Sequence, residues 1–150
     1  MDFTQINKPM KPKLLLRIAS GVMIFHLIGH TFGHSIWKQA TDLVKQEVIS
    51  QMTGHKFPFM GSIRSLADYY DGFSWATSIG LIFFAVILWL VSGAVKENAG
   101  LVFKILIATT ICLFAWSIDE FIFFFPFAAC VTLLAAILTL GAITQIRNQN

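Results

Sequence analysis

His26, Gly29, His30, Gly33 and His34 follow one another at i, i+3, i+4, i+7 and i+8. On a helix that spacing puts all five on one face. Imidazole exchanges a proton near neutrality and is a common metal ligand, so the stripe supports three kinds of chemistry. The rings can tie neighbouring helices by hydrogen bonds, an adjacent pair can chelate a metal ion, or a ring beside a carboxyl can handle protons or line a pocket for a lipophilic small molecule. Histidines at i and i+4 stand about 6 Å apart along the axis and can share an ion, whereas His26 and His34 stand about 12 Å apart and cannot. His30 and His34 are therefore the metal candidates. His26, His30, His34, Asp119 and Glu120 form the wider set of ligand or proton-handling candidates. A haem held by two histidines has less support, because no other apolar segment carries a histidine and a second copy would be required. No residue is assigned a catalytic role, and whether the chain is an enzyme stays open. Gly29 and Gly33, four apart, read as helix-packing positions.

The elements that must hold this stripe are set by composition. Of 150 residues, 56% are hydrophobic and 13% charged, and the mean hydropathy is +0.71, far from the balance of a water-soluble domain. A hydrocarbon core about 30 Å thick needs roughly 20 mostly apolar helical residues to cross it. Four charge-poor segments qualify, at about 14–37, 73–95, 100–118 and 121–144, the third with Lys104 reaching back to the interface. The expected fold is all-α, an integral membrane four-helix bundle forming one four-span domain. The first segment is long, interrupted by histidines and without an Ala-x-Ala site, so it reads as a retained span and not a cleaved signal. Cys112 and Cys130 fall inside spans as small packing residues, with no Cys-x-x-Cys pair.

Between the first two spans lies a long connection. Ala40, Leu43, Val44, Val48 and Met52 recur there at helical spacing, with Lys38, Lys45 and Glu47 on other faces, which predicts an amphipathic helix along the membrane surface. Gly54, Pro58 and Gly61 should break regular structure, and Ile63, Leu66, Tyr69 and Tyr70 suggest a second short amphipathic turn. Gly72 and Ser74 read as stop and N-cap before the second span. Asp119 and Glu120 read as the cap of the fourth span, which would leave the carbonyl of Ile122 without a donor at Pro126, and a His30 or His34 ring is expected to supply that bond. Residues 1–12, with Pro9 and Pro12, form a short polar tail.

The net charge is +3 and the cations cluster at span ends, so nucleic acid is not an expected partner. Lys8, Lys11, Lys13, Arg17, Lys96, Lys104 and Arg147 share one side, against Lys38, Lys45, Lys56 and Arg64 on the other. Positive charge favours the inner side, which puts both termini in the cytoplasm. The expected partners are the lipid bilayer and either a second copy or a larger membrane complex.

The run from His26 to His34, the run Tyr70-Asp71-Gly72-Phe73-Ser74 and the run Phe123-Phe124-Phe125-Pro126 together resemble an uncharacterised family of small bacterial four-helix inner-membrane proteins with a Gly/His-rich first helix. The resemblance covers most of the chain from the first span to the fourth. It implies a multi-pass protein of the bacterial inner (plasma) membrane and carries no activity with it. The layout is also similar to DoxX-like membrane proteins and to four-helix sterol-isomerase-type domains, whose helices enclose a pocket with polar residues, a likeness of architecture alone. Two functional readings follow: a histidine-lined intramembrane site for a metal, cofactor or lipophilic small molecule, or a non-catalytic structural or accessory subunit whose Gly/His stripe serves helix packing.

Overall fold

The computed structural model describes residues 10–148; most of the amino-terminal tail lies outside them. The fold is all-α apart from one small hairpin: α1 Pro12–Ile36, α2 Leu43–Gly54, β1 Lys56–Phe59, β2 Ser62–Ser65, α3 Leu66–Ala94, α4 Ala99–Phe123 and α5 Pro126–Arg147. The four long helices, α1, α3, α4 and α5, are each long and apolar enough to cross a membrane. Only 33% to 39% of their most apolar windows is buried inside the protein. Phe25, Phe32, Phe83, Leu90, Ile111 and Phe121 are among the many large side chains left exposed. An apolar surface on that scale requires an apolar solvent, and the protein is a multi-pass membrane protein.

The chain divides into two compact units. One holds residues up to His26 and from Ile82 onward; the other holds Leu27–Leu81.

In the first unit, segments of α1 and α3 pack with α4 and α5 as a four-helix bundle around Leu16, Met23, Leu88, Leu106, Leu113 and Ile146, all almost fully buried. Lipid is as apolar as leucine, so close packing and interhelical hydrogen bonds must hold the helices together. The inward face of α5 accordingly carries Ala128, Ala129, Thr132, Ala135, Ala136, Thr139 and Ala142, a stripe of small residues at helical spacing. A Cβ on Gly141 would stand 3.6 Å from the Leu15 side chain, in ordinary van der Waals contact. Ser20 Oγ on α1 donates to the Ala85 carbonyl of α3 at 2.7 Å, and Ser117 Oγ on α4 donates to the Ala129 carbonyl of α5 at 2.9 Å. Cys112 and Cys130 are exposed, not packed inside as their small size had suggested.

The break before α5 differs from the sequence expectation. α4 continues through Asp119 and Glu120 to Phe123, and α5 opens at Pro126, its first turn, where a residue without an N–H loses no helical bond. Asp119 and Glu120 thus belong to the last turn of α4 and cap nothing. Ile122 lies in the last turn of α4, where carbonyls have no intrahelical partner, and Pro126 four residues on has no N–H to offer it.

The second unit contains the end of α1, α2, the hairpin and the beginning of α3. Asp42 caps α2, its carboxyl accepting the Lys45 N–H at 2.9 Å. No residue of α2 is buried, and Leu43, Val44 and Val48 are exposed. That leaves the apolar stripe of this amphipathic surface helix uncovered, as lying on a bilayer requires. Where an irregular stretch and an amphipathic turn were expected, β1 and β2 pair antiparallel with Phe59 opposite Ser62. Their two-residue turn has positive φ at Met60 and Gly61, the backbone that matches the twist of a tight hairpin. α3 starts at Leu66, not at Ser74. Ser65 and Asp68 form a reciprocal capping box, the Asp68 N–H donating to Ser65 Oγ at 3.1 Å and the Ser65 N–H to the Asp68 carboxyl at 2.8 Å.

Candidate functional site

Each histidine of the stripe has its own partners. His26 is buried in the first unit. Its Nδ1 lies 3.0 Å from Thr132 Oγ1, and its Nε2 lies 3.4 Å from Glu120 Oε1. A neutral ring with its proton on Nε2 satisfies both contacts at once: the Thr132 hydroxyl donates to Nδ1 and Nε2–H faces the carboxyl. Glu120 is 4% exposed. The Thr132 hydroxyl and the Trp116 indole border the same carboxyl, while Oε2 is fully buried and makes no hydrogen bond to the described residues. Three helices meet at this point: α1 brings His26, α4 brings Glu120 and α5 brings Thr132.

Local structure explains the convergence. Glu120 is buried because α4 continues past the expected break and turns the residue inward, one turn beyond buried Ser117. Asp119, next in sequence, is exposed on the other side. Thr132 sits on the small-residue stripe of α5, which lets α5 come near enough for a short hydroxyl to reach the imidazole.

His30 and His34 belong to the second unit. His30 Nε2 lies 3.0 Å from the Ser74 carbonyl oxygen, a group that can only accept, so Nε2 carries the proton; Ser74 Oγ lies 3.1 Å from the same nitrogen. His34 Nε2 faces Asp71 Oδ1 at 3.8 Å. Asp71 also accepts from Trp37 Nε1 and from Lys38 Nζ, both at 2.8 Å. Around this carboxylate stand aromatic rings: His34 meets Trp75 edge-on with centroids 5.8 Å apart, and Trp37 and Tyr70 are 4.6 Å apart. The bond expected from a His30 or His34 ring to Ile122 is replaced by these contacts with Ser74 and Asp71.

No known family, curated protein or solved structure matches this chain. The site must therefore be read from its own chemistry.

A resident metal ion is held by three or four donors. Among the described residues no three His, Cys, Asp or Glu side chains gather in one place, so the donors do not fit the His30, His34, Asp119, Glu120 centre suggested by spacing. Gly29 and Gly33 are exposed, and a Cβ on either would meet no atom within 4 Å; the close approach expected there occurs instead along α5. Sequence reasoning found His26 and Glu120 as separate candidates and missed Thr132. The signal for Thr132 was present in the recurrence of Ala128, Thr132, Ala135, Ala136 and Thr139 on one helical face. Ser65-x-x-Asp68 was likewise a readable capping signature.

Proposed function

We propose that this chain is an integral membrane protein whose intramembrane His26–Glu120 pair takes up and releases a proton. The observation that supports the reading is the Glu120 carboxyl, 4% exposed on a helix apolar enough to span a membrane. One of its oxygens faces an imidazole, and the other is buried without a hydrogen bond among the described residues. Buried polar groups normally have partners, and ionisable residues in spanning helices mark proton or ion chemistry by default. An imidazole and a carboxyl in contact can share one proton in two arrangements. Thr132 holds the ring so that Nε2 stays aimed at the acid.

The reading assigns His26, Glu120 and Thr132 to the proton site and gives His30 and His34 a separate role beside Asp71. Both termini in the cytoplasm is the orientation favoured by the charge distribution, and a bacterial inner membrane is what the resemblance implies. The test is infrared difference spectroscopy of the protein in liposomes between about pH 5 and pH 8. A carboxylic-acid carbonyl band that changes with pH in the wild type and vanishes in Glu120→Gln is the expected result. A pH-independent carboxyl region, identical in wild type and Glu120→Gln, would sink the proposal.

A second reading, a non-catalytic accessory subunit, is favoured by one specific fact: His26 bonds across helices to Thr132 and His30 across helices to Ser74, as interhelical ties do. It predicts that Glu120→Gln leaves both fold and spectrum unaltered.

A further inference from the structure

In the first unit, the start of α1 and the end of α3 border a cavity of about 440 Å³. Three of the residues that line it are lysines, Lys11 and Lys13 from α1 and Lys96 from just past α3, and none is a carboxylate. Local structure sets them there. Pro12 is buried and its fixed φ suits a first helical position, so it anchors the entry of α1 and leaves the lysines on either side of it exposed. Ser92 is also buried, its hydroxyl donated to the Trp89 carbonyl at 2.6 Å. Beside it Gly93 keeps the wall bare, since nothing stands within 4 Å of where its Cβ would be.

No charge within the protein balances this lining. None of the three lysines forms an ion pair among the described residues. Glu97, next to Lys96, is the one described carboxylate at this end of the unit; it neither lines the cavity nor pairs with a cation. Lys96 suits the negative end of the α3 dipole, but Lys11 and Lys13 stand at the positive end of the α1 dipole, whose first turn holds no acidic residue. Arg17, one turn further along α1, adds a fourth cation 4.7 Å from the centre of the Trp89 ring. Membrane topology alone favours lysines at span ends, and Lys104 and Arg147 satisfy that rule without lining the cavity. The gathering of three lysines from segments far apart in the chain is a tertiary feature, and it is repulsive unless an anion joins it.

We infer that this cavity binds a phosphate-bearing anion between Lys11, Lys13 and Lys96. Charge selects the occupant. Ammonium groups are point charges with freely turning donors, suited to a tetrahedral oxyanion whose several oxygens accept from different sides, and a lone carboxylate would offset only one charge of three. The cavity lies at the ends of two helices long and apolar enough to cross a membrane, the depth at which headgroups meet water. The phosphate there belongs either to an anionic lipid or to a soluble phosphate compound. His26 is roughly four helical turns further along α1, so the site is separate from the proton pair.

Two assays on the full chain in mild detergent test this. Native mass spectrometry with added phosphatidylglycerol or phosphatidylcholine reads a lipid headgroup, and isothermal titration with inorganic pyrophosphate at constant ionic strength reads a soluble anion. Wild type should prefer phosphatidylglycerol, bind pyrophosphate, or do both; the first alone identifies a lipid as the source and the second alone a soluble compound. Lys13→Gln/Lys96→Gln, at exposed positions and with helix content checked by circular dichroism, should weaken that binding about tenfold, the effect of losing a charge-assisted hydrogen bond. Lys104→Gln/Arg147→Gln removes the same charge outside the cavity and should change binding by less than about twofold, because distant exposed charges are screened. Wild type that binds neither probe overturns the inference. So does undiminished binding in Lys13→Gln/Lys96→Gln, or an equal loss in both double variants, the mark of general surface charge.

Discussion

The same imidazole group is used in two different ways in the two units. In the first, His26 is buried and its contacts, Thr132 and Glu120, are buried with it. In the second, His34 faces a carboxylate that is 29% exposed and shared with a lysine that is 50% exposed. A charge interaction beside water or headgroups is screened and worth little, whereas an acid enclosed by apolar helices depends on the few groups that touch it. The difference teaches that position along the stripe, not residue type, decides which histidine is enclosed with its acid and which meets it near the surface.

The comparison can be broken most directly at His26. His26→Leu removes the imidazole that faces Glu120 Oε1 and leaves the buried carboxyl without that contact, and it should lower stability by about 3 kcal/mol, read from reversible unfolding in mixed micelles. The double variant His26→Leu/Glu120→Leu should recover most of that loss, because the uncompensated acid goes with its partner; a strictly additive double variant would mean the two side chains do not interact. Thr132→Val keeps shape and deletes the hydroxyl, and an expected cost of about 1 kcal/mol in the same assay isolates the hydrogen bond to Nδ1.

Smaller effects belong to the second unit. Asp71→Asn keeps an acceptor for Trp37 but loses the charge facing Lys38 and His34. Its expected cost is below about 1 kcal/mol and should shrink in high salt; a loss as large as that of His26→Leu would erase the distinction between the units. Gly33→Ala, placed in open space, should change stability by no more than about 0.5 kcal/mol. A marked loss of stability or of self-association in that variant would show the glycine face to be an interface with another chain.

Much of the fold was legible in the sequence because a membrane imposes one coarse requirement, a long apolar helix per crossing, that composition alone reveals. The surface helix was legible for the same reason, from the spacing of Leu43, Val44, Val48 and Met52. The hairpin was not, since Pro58 and Gly61 read as breakers while the paired strands around them depend on cross-strand register. The boundary of α5 was misplaced because Asp119 and Glu120 resemble caps; Pro126, a residue suited to a first helical turn, was the stronger signal.

By itself the sequence determined that the protein is helical, that it lives in lipid, and that histidines and acids are few enough to be worth tracing. Periodicity specifies which residues share a face of one helix, and hydropathy specifies the solvent. Only the tertiary structure decided which acid meets which ring, because that depends on how closely helices approach and how far each is rotated. The small residues of α5 bring Thr132 to His26, the uninterrupted last turn of α4 carries Glu120 inward, and the capping box at Ser65 sets where α3 begins. None of these distances is contained in a spacing along one helix, and each is a consequence of packing between several.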